Sequence, residues 1–373
     1  MRRRNLLLLI PAIPLLFLAG EAAVRLAAPG PARPLSPLCR FHPRLGWDLA
    51  PGGTARFREA GEFDVTVKIN GEGFRGSLPP APREGGPARI LALGDEETLG
   101  VSVAERETYL QVLVRGLARR GLPALGLDGG VEGYATDQEY LWFLAKGASL
   151  RPDLVLLAFR GDDVFWVTRR DYQGIPKPVV EVLPGEGGLR LLPRFSGRPS
   201  DWVRPFWRRS RLLELLAPPS PPLVSVAGGG RLPGPLAGFL ARPPRPIREG
   251  WKKVEALLAG LKAAVEKRGG LVLAFPIPHR SQVRGEETHA LLDRWGLSLK
   301  QWNVDGPTAR FLQAARRADV EAVDPLGYFR QAAARGKLLF YRRSGRLTPQ
   351  GHRLLGRILE WKLRELGWRG LGK

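Results

Sequence analysis

Cysteine is nearly absent: Cys39 is the single one in 373 residues. That excludes an internal disulfide framework and any multi-cysteine metal site, and with no activating motif around it the thiol reads as a bystander. Histidine is scarce as well. His42, His279 and His289 are scattered with no metal-ligand spacing, and His352, at the start of the last helix, is expected to cap or pack. Acids are outnumbered, 36 Asp and Glu against 58 Lys and Arg, for a formal net charge of +22. The basic residues are spread along the chain, and no helix-turn-helix, zinc-finger or RNA-binding signature accompanies them. The surplus therefore points to anionic surfaces, lipid or polysaccharide, and to no specific nucleic acid. What is plentiful is apolar: 44% of residues, enough for a sizeable core.

Arg2, Arg3 and Arg4 precede an apolar run over 6–19. A basic flank before an apolar stretch reads as an export signal with the arginines held in the cytoplasm. The run is shorter than the about 20 residues of a bilayer span, and Pro11 and Pro14 interrupt it. Residues 1–25 are expected to be a signal anchor or transmembrane segment. The rest would then be membrane-anchored and face the periplasm or cell exterior.

Residues 26–85 read as linker and a small β lead-in. Alternation at Phe63, Val65, Val67 and Ile69 suits a half-buried strand, and Asn70-Gly71 is a turn signal. An alternating β/α pattern follows over 86–369. The runs ARILALGD, PALGLD, LVLLAF, LVLAFPIP and VEAVDP read as buried strands between helical stretches. An Arg/Trp/Pro-rich insertion interrupts them at about 167–246, with one short helical piece, FWRRSRLLELLA. Strands alternating with helices predict an α/β fold, a three-layer αβα with a doubly wound parallel five-stranded sheet. Functional groups in such folds collect at the C-terminal strand ends, where 94–96, 128–133 and Asp162-Asp163 fall.

In these segments GDEETLGVSV resembles the GDSxTxGxGV block of the SGNH (GDSL-type) hydrolases, and DGGVEGYATDQE their NLGVPGYGTDQE block. LVLLAFRGDDV resembles the block ending in Asn-Asp, and RRSGRLTPQGH the DxHLTPxGH block. The GWDLAPG and INGEGFRG stretches are similar to the lead-in of membrane-anchored bacterial members. The resemblance runs over about 41–366. It implies acyl transfer to water, in which a serine attacks while a histidine, oriented by an aspartate, takes its proton. N–H groups of a second-block glycine and the third-block asparagine would hold the oxyanion.

Carried over residue by residue, the nucleophile position is Glu96, the glycine is Gly133, the asparagine is Asp162 followed by the matching Asp163, the aspartate is Arg343 and the histidine is Arg346. Arginine is permanently protonated and is no general base, and Glu96 has no hydroxyl. The resemblance thus implies a pseudoenzyme with no cofactor and no metal. Its opposed charges predict ion pairs Glu96–Arg346 and Asp162–Arg343. Alternatives stay open: a binding pocket for a glycan or anionic envelope polymer, with Asp95, Glu96, Gly133, Asp162, Asp163, Arg343 and Arg346 as candidates; a hard-cation site among Asp95, Glu96, Glu97, Asp162 and Asp163; a glycosidase-like Glu96/Asp162 pair; or an active esterase, deacetylase or O-acetyltransferase with other working groups. Trp202 and Trp207, beside Arg204, Arg208 and Arg209, read as packing or as a sugar-stacking or membrane-interface patch.

Overall fold

The apolar runs that end in turn residues are the strands of one sheet. In the computed structural model, which describes residues 14–24, 26, 35–76, 86–185, 188–194, 222–226 and 230–370, that sheet contains β5 (Ala88–Gly94), β6 (Ala124–Gly130), β7 (Leu154–Phe159), β14 (Leu271–Pro276) and β15 (Glu321–Ala322). They lie in the order β15-β14-β7-β5-β6, every pairing parallel. Counted within the sheet this is the 2-1-3-4-5 doubly wound order, whose direction reverses between β5 and β7.

Both faces are covered, which is why the strands read as continuous apolar runs and not as alternation. On one side Ile90, Ala92, Leu156 and Phe275 pack under α2 (Tyr109–Ala118), α9 (Leu326–Ala334) and α10 (Pro349–Glu365). On the other Leu91, Leu93, Leu157 and Ala274 pack under α3 (Thr136–Ala145), α5 (Arg245–Glu266) and α8 (Gly306–Arg317). The architecture is the three-layer α/β fold with a five-stranded parallel sheet that the sequence predicts.

The lead-in belongs to the second core. Two hairpins, β1 (Cys39–His42) with β2 (Gly46–Leu49) and β3 (Thr54–Glu59) with β4 (Phe63–Lys68), place Trp47 and Val67 there. The expected strand pairs backward, through a turn at 60–62, while the Asn70 side chain closes the next turn by accepting from the Glu72 and Phe74 N–H groups at 3.0 Å. Arg75, buried, donates to the carbonyls of Leu99, Gly100 and Val103 and so ties the lead-in to the loop after β5.

Part of the insertion is equally anchored. Lys177, fully buried, donates to both carboxylate oxygens of Asp137, at 2.9 and 2.7 Å, and to the Trp166 carbonyl. The triple arginine, the helical piece around 206–217 and the Trp202/Trp207 patch lie outside the described residues. Residues 14–24 are helical, with Leu15 and Leu16 exposed. Among the described residues no helix is long and apolar enough to cross a membrane.

Candidate functional site

The order reversal between β5 and β7 opens a crevice beyond their C-terminal ends, and the charged residues converge there. β5 ends on Gly94, where a Cβ would stand 2.0 Å from Thr98 Oγ1. Glycine thus lets the chain turn directly into α1 (Glu96–Leu99). Asp95 caps that turn, its Oδ1 accepting from the Glu97 N–H at 2.8 Å. Glu96 follows, and its Oε2 accepts from the Gly133 N–H at 3.2 Å. Gly133 has φ +73, and a Cβ on it would meet the Tyr172 ring at 2.6 Å. The position therefore demands glycine twice over, for conformation and for space.

Arg346 faces these acids from the loop before α10. Its Nη1 lies 3.4 Å from Glu96 Oε1 and 3.4 Å from Glu97 Oε1. Glu97 is buried, and its Oε2 also accepts from the Leu347 N–H at 3.1 Å. From the end of β7 comes Arg160, a residue the sequence reading passed over. Its Nε is 3.8 Å from Asp95 and 3.6 Å from Asp162, and its Nη1 is 3.6 Å from Glu97. Asp162 further accepts from Trp166 Nε1 at 3.2 Å. Asp163 turns inward, accepting from Thr136 Oγ1 at 3.2 Å and from the Arg160 N–H at 3.1 Å.

These environments sort the acids. Burial pushes the Glu96 carboxyl up, but Arg346, Arg160 and the Gly133 N–H outweigh it and hold it below the usual range, so Glu96 is ionised. Burial and then the Glu96 charge push Asp95 well up. Asp163 is raised by burial and by Glu139, and Glu139 by burial and by Asp95 and Asp137. Glu139 is buried on α3, and neither carboxylate oxygen has a hydrogen-bond partner among the described residues. Behind the ionised surface pair, the crevice rests on carboxyls held toward their neutral form.

The structure brings Glu96 and Arg346 together; it does not bring Asp162 to Arg343. The expected Asp162–Arg343 pair is replaced by Asp162–Arg160, and Arg343 points to the lead-in, its Nη1 donating to the Ala60 carbonyl at 3.2 Å. The cause is the β3–β4 hairpin tip. Glu62 accepts the backbone N–H groups of Arg343 and Ser344, and Phe63 packs on Tyr341 with ring centroids 5.3 Å apart. That contact turns the Arg343 side chain out of the crevice.

Two histidines end differently from one another. His352 is buried, stacks on Tyr109 and accepts the Tyr109 N–H on Nδ1 at 3.3 Å; burial pushes its pKa down to about 3. His279, just beyond β14, also falls to about 3, through burial and then Arg160 and Arg280. A neutral imidazole therefore stands beyond the end of this strand, within the field of Arg160 and packed against Phe239, legible beforehand only from its place after a strand. Its Nδ1 is 2.8 Å from Ser281 Oγ, but Ser281 is buried and among the described residues no carboxylate is hydrogen-bonded to the ring. Among the described residues no three His, Cys, Asp or Glu side chains are placed to hold a metal ion. A guanidinium, Arg160, stands among the acids instead.

No protein-family model matches this chain, and no curated protein does. Among solved structures it is similar to TesA (10% identity, TM-score 0.40, covering 74% of this chain and 99% of that one). It is likewise similar to the lipase/acylhydrolase from Enterococcus faecalis (11%, TM-score 0.40, 74% and 95%) and to Axe2, an acetylxylan esterase from Geobacillus stearothermophilus (13%, TM-score 0.39, 75% and 94%).

Proposed function

We propose that this chain is a non-hydrolytic, SGNH-like protein of the cell envelope, held at the membrane by residues 1–25, whose crevice binds a glycan or another envelope ligand without cleaving it. One observation carries the reading: the ionised Glu96 carboxylate sits on the Gly133 N–H, with Arg346 against its other oxygen. In the hydrolases that the sequence blocks resemble, that N–H serves the oxyanion. Here it already serves a carboxylate, and a developing negative charge beside it would be repelled. Loss of one oxyanion donor costs about 10²–10³ in rate, and loss of triad members several further powers of ten. The guanidinium of Arg346 takes no proton at any working pH.

The test is hydrolysis of p-nitrophenyl acetate by the full-length protein and by its Glu96→Gln and Glu96→Ser variants, with a fluorophosphonate probe for reactive serines. None of the three is expected to turn over substrate above buffer or to label. Wild-type turnover that falls on Glu96→Gln, or labelling of any serine, overturns the reading. The basic and apolar N-terminus supports the envelope location. Recovery in the membrane fraction, with the crevice domain open to protease from outside intact spheroplasts, checks it.

A further inference from the structure

Away from the crevice, the outer face of the α2–α10 layer carries three adjoining depressions, of about 460, 400 and 320 Å³. Arg357 lines the first and second, and Arg353 the second and third; the first and third follow the seam between α2 and α10 and the second the seam between α9 and α10, so the groove is a pair of furrows on either side of the arginine ridge of α10. Arg353, Arg357 and Arg364 stand on α10, four and seven residues apart; Arg115 and Arg119 come from α2 and its C-terminal end. At about 1.5 Å of rise per residue, the α10 charges recur every 6–10 Å or so. All five are exposed. Of the cations lining the groove, only Arg120 is ion-paired among the described residues, to Glu360 at 2.5 Å. Trp361 (47% exposed) and Tyr328 (42%) stand in its walls with ring centroids 6.0 Å apart.

Clustered unpaired guanidinium groups repel one another, a cost that a bound polyanion offsets. Their planar forks match carboxylates bidentately, and the two exposed rings offer an apolar face with a polar edge. A polymer chain can lie along these furrows and meet the α10 arginines in turn. We infer that this groove binds an acidic polysaccharide, carboxylates on the arginines and sugar faces on Trp361 and Tyr328. The groove shares no residue with the Glu96 site. The inference uses the proposed envelope location only in preferring a polysaccharide to a nucleic acid.

Binding of polygalacturonate to the full-length protein tests it, against dextran, single-stranded DNA and phosphatidylglycerol vesicles. Expected are saturable binding of polygalacturonate in preference to all three, weakening as salt rises, and a loss of at least about tenfold in the Arg353→Glu/Arg357→Glu/Arg364→Glu variant at unchanged thermal midpoint. Trp361→Ala is expected to weaken binding severalfold even at high salt. Equal binding of dextran, tighter binding of DNA or vesicles, or an undiminished triple variant overturns it. None of these outcomes depends on whether the protein hydrolyses esters.

Discussion

Glu139 offers the most direct measurement of how the crevice is built. Its carboxyl is buried, neither oxygen is hydrogen-bonded among the described residues, and burial together with Asp95 and Asp137 raises its pKa well above the usual value. A raised folded pKa means that the native state keeps a proton the unfolded chain has already lost. From about pH 4.3, where an unfolded Glu titrates, up to the folded pKa of Glu139, stability must therefore fall with rising pH, by about 1.4 kcal/mol per unit for this one group. Glu139→Gln keeps the shape and removes the titration. Asp95 and Asp163 are raised in the same direction, so the variant should retain a slope, but a shallower one. Urea unfolding followed by tryptophan fluorescence, at intervals from about pH 4.5 to about pH 7.5, measures the gap between the two proteins. It should widen in the variant's favour by about 1.4 kcal/mol per unit and level off above the folded pKa. A gap that does not change with pH refutes the assignment of Glu139 as a buried neutral acid.

Lys177→Met strands the Asp137 carboxylate in a site where both partners are fully buried, which should cost about 3–5 kcal/mol. At about 2.1 cal/mol/K of unfolding entropy per residue over 373 residues, calorimetry should see the midpoint drop by about 4–6 °C. Adding Asp137→Asn should recover most of it, and a single variant that melts with the wild type contradicts the buried-pair account. Arg346→Ala should destabilise by about 1–3 kcal/mol, because two carboxylates lose one of the two cations beside them. Arg343→Ala, exposed and outside the crevice, should stay within about 0.5 kcal/mol; the reverse ranking in chemical denaturation would sink the placement of these loops. His279 and His352, each with a pKa pushed down to about 3, should remain neutral at pH values where a free imidazole, near 6.5, is charged. Nitrogen chemical shifts that titrate near 6.5 for either ring refute that.

The strands were legible because a parallel strand covered on both faces has no room for polar residues: LVLLAF and LVLAFP are buried almost throughout. The first acid–arginine contact was legible as well, since Glu96 and Arg346 carry opposite charge at positions the resemblance sets face to face. Arg343 was not, because its orientation is decided by Glu62, 281 residues earlier, at the tip of a hairpin whose turn carries no sign of a distant partner. Arg160 was overlooked for a different reason: the block comparison directs attention to Asp162-Asp163, although an arginine two residues before them, at the end of a buried strand, must answer to whatever charge lies there. Lys177 lay in a stretch that reads as irregular, yet it is among the most buried cations of the described residues.

The charged residues at the crevice make physical sense only as a set. A carboxylate at the Glu96 position, 17% exposed, pays for its desolvation only if cations stand close by, and Arg346 and Arg160 both do. Arg346 in turn, with 26% of its side chain exposed, is compensated by Glu96 and Glu97, and Arg160 by Glu97 and Asp162. Restoring a hydroxyl at Glu96 would therefore not restore a nucleophile. The serine would face a guanidinium that accepts no proton, and Asp162, held by Arg160 and Trp166, would on the proposed reading put a carboxylate where the resembled hydrolases carry an N–H donor. On the proposed reading that interdependence is why Glu96→Ser is expected to be inert: it would gain a hydroxyl, while Arg346 and Asp162 keep charges beside it that neither take its proton nor hold an oxyanion.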